Sequence, residues 1–288
     1  MSRIAYVNGR YVPHAQATIS IEDRGFQFAD GVYEVTALRN GSFVDEMPHL
    51  ERLQYSLSEL RIPLPMSVPA LRFVQREMAR RNRLTDGIVY IQVTRGASRR
   101  DHPFPSGIAP TLVMTARNTR ANTAQAEAGI AAISVPDIRW QRCDIKTVGL
   151  LANVLAKQAA RENGAWEAWF VDAEGNITEG SSTNVWMVTG EGELVTRQAD
   201  HGILNGITRR TVQRLCADLQ LRLVERPIAL DEIAGARETF ITSATSFVMP
   251  VVKVDGRPVA DGRPGELARR LRAEYLRAAD GSGIVGRA

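Results

Sequence analysis

The chain has 288 residues, of which 44% are hydrophobic, 24% charged and 6% aromatic. This is the balance of a globular protein rather than a disordered or collagen-like one, in a chain long enough to bury a core without disulfide or metal support. Its net charge of +4 sums 36 basic and 32 acidic residues, and the dispersed arginines, with no basic run or interleaved aromatics, argue against a nucleic-acid face. No apolar run approaches the roughly 20 residues of a membrane span, and the first residues lack a leader's apolar stretch. Two cysteines, Cys143 and Cys216, in so long a chain suit a reducing, cytoplasmic setting.

In chain order, short β-like runs at Ile4–Val7 and Tyr11–Val12 flank Asn8-Gly9, a hairpin dipeptide. Gly31–Leu38 reads as a strand ended by Asn40-Gly41. The period then lengthens: Leu50, Leu53, Leu57 and Leu60 mark one face of a helix, and Pro69 to Arg81 reads as a second helix. Ile88–Thr94 and Thr111–Thr115 read as buried strands around a polar loop. Residues 117–126 carry no periodicity and are the linker candidate. Beyond them, Ile130–Ile133, Trp166–Val171, Asn176–Val188, Glu238–Thr242 and Val251–Val254 read as strands. Leu150–Glu162, Thr208–Leu219 and Glu266–Ala279 read as helices. Strands mixed with helices on both sides of one linker predict two α/β or α+β domains, residues 1–116 and 127–288.

Only three of the 36 basic residues are lysines, so an amine nucleophile has three candidates. Lys157 lies mid-helix opposite leucines and reads as a solvated charge. Lys253 alternates with valines and reads as the outer face of a hairpin strand. Lys146, in Arg142-Cys143-Asp144-Ile145-Lys146-Thr147-Val148-Gly149, sits where a β-like stretch gives way to a helix. There it is either an ordinary surface lysine or an amine that desolvation makes nucleophilic. Thr178-Glu179-Gly180-Ser181-Ser182 places one carboxylate in an apolar stretch, either a hydroxyl-lined bend or a ligand site needing a positive partner. Gly206-Ile207-Thr208 opens a helix whose free amides suit an anion such as phosphate, though helix starts are common; Arg52 and Ser243–Ser246 could add contacts. Arg100 and His102, two apart in a loop, lie on one side of an extended backbone and could grip a carboxylate, or be plain surface polarity. His14, His49, His102 and His201 are scattered, so no metal site is expected.

Together these segments resemble the D-amino-acid transaminase group of the class IV aminotransferases, two-domain fold-type IV enzymes with the active site between the domains. The resemblance runs from about Tyr6 to Tyr275. It is carried by the stretch from Glu22-Asp23-Arg24-Gly25-Phe26 to Gly31-Val32-Tyr33-Glu34-Val35, by His49-Leu50-Glu51-Arg52, Gln92-Val93-Thr94-Arg95-Gly96, Asp137-Ile138-Arg139-Trp140 through Lys146, Thr178–Ser182 and Gly206–Arg209. It implies pyridoxal 5'-phosphate as cofactor, bound to Lys146 as a Schiff base, with Lys146 also moving the substrate proton. Glu179 would face the ring nitrogen. Arg52, the amides of Ile207 and Thr208, and Ser243, Ala244 and Thr245 would hold the phosphate. Tyr33, Arg100 and His102 would grip the substrate carboxylate, and Trp140 and Leu204 would border the pocket.

It further implies a homodimer, in which the Arg100 loop reaches the neighbouring subunit, and ping-pong exchange between D-amino acids (D-alanine or D-glutamate) and 2-oxo acids. Two departures stand out. Ala244 has no hydroxyl where relatives often carry one, and Phe247 replaces a carboxylate. The same scaffold serves branched-chain L-aminotransferases, (R)-amine transaminases and aminodeoxychorismate lyases. A non-catalytic binding protein on it is the reading from another class, and retention of Lys146 and Glu179 argues against that.

Overall fold

A computed structural model describes residues 3–119 and 122–280. They form two compact units: residues 3–119 with Ile145–Gly149, and residues 122–144 with 150–280.

In the first unit, β1 (Ile4–Val7) and β2 (Arg10–Pro13) form the expected hairpin. Asn8 and Gly9 both take positive φ, 44° and 91°, as a two-residue turn that matches strand twist requires. After α1 (Arg24–Phe28) come β3 (Gly31–Arg39), β4 (Ser42–Phe43), α2 (Glu46–Glu59), α3 (Val68–Arg81), β5 (Gly87–Thr94) and β6 (Thr111–Asn118). The six strands make one sheet, ordered β2-β1-β6-β5-β3-β4, with every pairing antiparallel. The leucine face read from the sequence is the buried one. Leu50, Leu53 and Leu57 of α2 join Leu71, Val74 and Met78 of α3 over Val89, Ile91, Val93, Leu112 and Met114 of the sheet. Each such side chain contributes about 1.5–3 kcal/mol by burial. Helix α1 has no counterpart among the sequence expectations, because five residues are too few to show a helical period. It is started by Asp23, whose side chain accepts from the Gly25 amide at 2.8 Å.

The second unit contains α4 (Thr123–Ala128), β7 (Ile130–Pro136), α5 (Leu151–Glu162), β8 (Glu167–Val171), β9 (Asn176–Gly180), β10 (Asn184–Val188) and β11 (Leu194–Thr196). It continues with α6 (Ile207–Asp218), β12 (Leu223–Glu225), β13 (Ile228–Ala229), β14 (Glu238–Ser243), β15 (Phe247–Val254), β16 (Arg257–Pro258) and α7 (Glu266–Ala279). Its ten strands form a mixed sheet, ordered β12-β11-β10-β14-β15-β7-β8-β9-β13, with β16 on β15. Strands β8, β10 and β14 are buried along almost their whole lengths, as strands covered on both faces are.

Four expectations need correction. The proposed linker 117–126 is largely structured: β6 continues to Asn118 opposite Gly87, and α4 starts at Thr123 and buries Ala126. The missing periodicity reflected an exposed strand end and a one-and-a-half-turn helix. The expected strand Asn176–Val188 is two strands, because Ser181–Thr183 turn the chain. The lysine segment was assigned to the second domain, yet Ile145–Gly149 clusters with the first unit. Ile145 joins that unit's core, and Thr147 bridges Val32. Lastly, α5 turns alanines rather than leucines inward. Ala156 and Ala160 pack on Ala168 and Phe170, while Leu151, Val154 and Leu155 are exposed. Lys157 is only in part the solvated charge expected: its side chain is 42% exposed, yet it donates to the Trp166 carbonyl at 2.6 Å and pairs at 3.2 Å with Glu167, which is fully buried.

Candidate active site

In the first unit, Lys146 lies in an extended segment alongside β3. Its amide donates to Ser56 Oγ at 3.2 Å, its carbonyl accepts from the Tyr33 amide at 3.0 Å, and Val148 donates to the Gly31 carbonyl at 3.0 Å. A Cβ on Gly31 would come within 2.8 Å of the Val93 carbonyl, so glycine is required where β3 packs this tightly. The Lys146 ammonium sits 4.2 Å from the Tyr33 ring centre, and that ring stacks on Tyr90 at 5.6 Å. Burial pushes the Tyr90 hydroxyl up to about 12, and it donates to Gln92 at 2.8 Å. The other expected lysine position agrees: Lys253 is exposed on β15.

Arg52 points from α2 to the neighbour of Tyr33. Its Nε and Nη2 donate to the fully buried Glu34 at 2.7 and 3.0 Å, and His49 Nδ1 donates to the same carboxylate at 2.8 Å. Burial disfavours the charged form of Glu34, but Arg52 and His49 outweigh it and hold the carboxyl well below the usual range. Sequence reasoning found Arg52 and missed Glu34. The signal was a lone acid inside the apolar strand Gly31–Leu38.

In the second unit, Glu179 is buried near the end of β9. It forms an ion pair with Arg139, and its Oε2 accepts from Asn184 Nδ2 and the Leu204 amide, each at 3.1 Å. Arg139 also takes Asp137 through Nε at 2.9 Å and Nη2 at 2.7 Å, reaches Thr178 Oγ1 at 3.1 Å, and lies 4.4 Å over the Phe170 ring. Burial opposes ionisation of Asp137, yet the Arg139 hydrogen bonds keep its carboxyl below the ordinary value. The positive partner that a buried Glu179 requires is therefore Arg139. The sequence reading quoted both Arg139 and Asp137 without giving them a role. Trp140 is half exposed.

Asn184 links this carboxylate to the segment before α6 and to β14. It pairs with Thr242 in the β10–β14 ladder, and its side chain also donates to the Leu204 carbonyl at 2.9 Å. A Cβ on Gly206 would collide with Asn184 Oδ1, so any larger residue at the start of α6 displaces the Asn184 side chain. Gly206 caps α6, and no side chain caps that end. The amides of Ile207 and Thr208 thus open the helix at its positive pole. Beyond Thr242, Ser243–Ser246 turn β14 into β15. Ser243 Oγ lies 2.6 Å from Ser246 Oγ and accepts from the Ser246 amide at 3.1 Å. Ala244 and Thr245 occupy the tip of that turn. Phe247 is set against Tyr275 of α7, ring centres 5.3 Å apart.

Arg100 and His102 stand in the exposed loop between β5 and β6, and both meet the Phe28 ring, at 4.5 and 5.5 Å. The structure brings these two together, as their spacing suggested. No hydrogen bond, ion pair or ring contact among the described residues joins either of them to Tyr33. No His, Cys, Asp and Glu group among the described residues could hold a metal.

The first unit holds an amine beside an aromatic face, and the second holds a buried carboxylate paired with arginine and an uncapped helix start beside a hydroxyl turn. The chain belongs to the class IV aminotransferases: the model of that family, amino-transferase class IV, matches residues 31–254. A D-alanine aminotransferase of Bacillus licheniformis is 39% identical over 264 residues, covering 92% of this chain and 93% of its own. One of Staphylococcus aureus (strain MSSA476) is 36% identical over 271 residues, 94% and 95% of the two chains. Among solved structures, a T.th. branched-chain amino acid aminotransferase with pyridoxamine 5'-phosphate superposes with a TM-score of 0.91. It is 25% identical over 99% of this chain and 97% of its own.

Class IV aminotransferases use pyridoxal phosphate, and the donor set here has the matching chemistry. The Ser243–Ser246 hydroxyls and the uncapped start of α6 suit a phosphate. A carboxylate held ionised by arginine suits a protonated ring nitrogen. A lysine on an aromatic ring face suits a carbonyl-bearing ring.

Proposed function

We propose that this enzyme transfers amino groups between D-amino acids, of the D-alanine or D-glutamate type, and 2-oxo acids in a ping-pong cycle. The observation that carries the reading is the convergence of Arg100 and His102 on Phe28. That convergence sets a guanidinium and an imidazole side by side, the pair that would grip a substrate carboxylate, and the identity to D-alanine aminotransferases supports the reading. The 25% likeness to a branched-chain enzyme keeps the branched-chain L-amino acid reading as the alternative.

In this reading Lys146 binds the cofactor through Nζ. The cofactor when bound supplies an electron-withdrawing ring for the charge left at the substrate Cα. Lys146 Nζ would take the proton from the substrate Cα and hold it for return within the same half-reaction. Glu179, paired with Arg139 and oriented by Asn184, would accept a hydrogen bond from the cofactor's ring nitrogen and favour its protonated form. Ile207 and Thr208 amides, Ser243, Thr245 and the Ala244 backbone hold the phosphate, with Arg52 set by Glu34. Tyr33 flanks Lys146 and limits how the substrate approaches it. Arg100 and His102 fix the carboxylate, which selects the face of Cα presented to Lys146.

The exposed Leu151, Val154 and Leu155 form an apolar stripe at helical spacing that suits a contact between two copies of the chain, and we infer a homodimer. Both cysteines are free, which supports a cytoplasmic setting. No helix among the described residues is long and apolar enough to cross a membrane. The test is to add D-alanine and L-alanine separately to the purified holoenzyme. D-alanine should bleach the visible cofactor band, L-alanine should not, and borohydride should fix the cofactor on Lys146. Bleaching by L-leucine in preference to D-alanine, or label on Lys157 or Lys253, overturns it.

A further inference from the structure

We propose that Arg24 and Phe28 of α1 are positioning residues for the substrate-carboxylate grip, clasping the loop that carries Arg100 and His102. Arg24 is almost fully buried, yet three of the carbonyls it serves belong to an exposed segment. Its Nη1 donates to the Asp101 carbonyl at 2.6 Å and reaches that of Pro103 at 3.4 Å, and Nη2 donates to the His102 carbonyl at 3.2 Å. Nε donates to Asp30 at 2.8 Å, and Arg95 anchors the same carboxylate at 2.7 Å. A guanidinium spans this arrangement because its donors form a rigid planar fork; a lysine ammonium is a point charge and cannot serve Asp30 and three consecutive carbonyls together.

Phe28 completes the clasp. The Arg24 guanidinium lies 4.8 Å from its ring centre, Arg100 lies 4.5 Å away, and His102 borders the same ring. The base of the loop is strapped to the start of α1, where the Arg24 amide donates to the Gly96 carbonyl at 2.9 Å and the Ser98 amide donates to the Glu22 carbonyl at 3.2 Å. Arg100 and His102 flank Asp101, whose carbonyl Arg24 holds, so the spacing of the two side chains is set before substrate arrives. A preorganised site loses affinity when its support is loosened, even with its contact groups intact.

The inference rests on the reading that Arg100 and His102 bind the carboxylate, so the test separates the two. On the holoenzyme, hydrogen exchange of residues 98–104 and the KM and kcat for D-alanine and a 2-oxo acid are measured for Arg24→Lys, Phe28→Leu, Arg100→Ala and Arg24→Lys/Arg100→Ala. Phe28→Leu keeps the question open to measurement if Arg24→Lys does not fold. The expected result is at least tenfold faster exchange in 98–104 with strand β5 unchanged. KM for both substrates should rise about tenfold with kcat within twofold, and no further rise should follow when Arg24→Lys is added to Arg100→Ala. Unchanged exchange overturns the clasp, whatever binds the carboxylate. Faster exchange with an additive KM rise in the double variant shows Arg24 acting outside the grip and overturns the positioning role. If Arg100→Ala itself leaves KM unchanged, the grip reading has failed and the positioning role falls with it.

Discussion

Arg139 is the cation that both Asp137 and Glu179 contact, and replacing it with methionine keeps much of the side-chain stem over Phe170 while deleting the charge. Removing one partner of a buried, hydrogen-bonded ion pair costs about 3–5 kcal/mol, because the remaining charge stays desolvated. At about 2–4 °C per kcal/mol for a unit of this size, Arg139→Met should lower Tm by roughly 6–20 °C at pH 7. The pH dependence gives a sharper signature. In the intact protein Asp137 titrates below its ordinary 3.8. A depressed carboxyl contributes stability that is fully present above the unfolded value and is lost as pH falls through the folded value. Without the Arg139 guanidinium, only the Thr178 hydroxyl and the backbone amide of residue 139 still oppose burial at Asp137, so its folded value rises and protonation costs less than in the intact protein. The Tm gap between the two proteins should thus be widest near pH 7 and should narrow below about pH 5. Scanning calorimetry of both proteins at pH 7, 5 and 4 reads this directly. A gap that stays constant over the range, or a loss under about 2 °C at pH 7, refutes the charge argument; Arg139→Lys should recover part of the loss.

If Arg100 grips the substrate carboxylate as proposed, Arg100→Ala removes charge-assisted hydrogen bonds of about 1.5–3 kcal/mol, and its KM for D-alanine should rise roughly ten- to a hundredfold with little change in kcat; an unchanged KM places the grip elsewhere. Gly206→Ala forces Asn184 aside and, through it, disturbs Glu179 and the start of α6. Cofactor affinity measured by absorbance titration should fall at least tenfold, and wild-type affinity would show that the turn relaxes freely. Burial first of all pushes the Cys143 and Cys216 thiols up to about 12, so neither is a thiolate at pH 8. Iodoacetamide should label them slowly until the chain is denatured, and rapid labelling of native Cys216 would contradict its burial.

Much of the local structure was legible because it is periodic or depends on special residues. The i, i+3, i+4 leucines of α2 and the β-branched runs of β5 and β14 named their elements, and Asn8-Gly9 named its turn. What failed was short or context-dependent. Helix α1 has too few residues for a period, and α5 hides alanines rather than leucines. Lys157, read as solvated, is drawn to a buried Glu167 contributed by a strand.

Lys146, Glu179 and the Gly206–Thr208 helix start were picked out of the sequence by residue type and punctuation, since a scarce lysine, a carboxylate in an apolar stretch and a glycine before a helix are local facts. The partners that make those residues competent were not local. Arg139 lies 40 positions from Glu179, Arg52 18 from Glu34, and Arg24 77 from Asp101. A sequence states which charges must be satisfied if they are buried, but which counter-charge meets them depends on strand register and helix packing. The sequence alone therefore determined most of the longer elements, the family resemblance and the candidate site residues. Only the tertiary structure decided their partners and orientation, because burial and Coulomb contacts act over distances in space that separation along the chain does not encode.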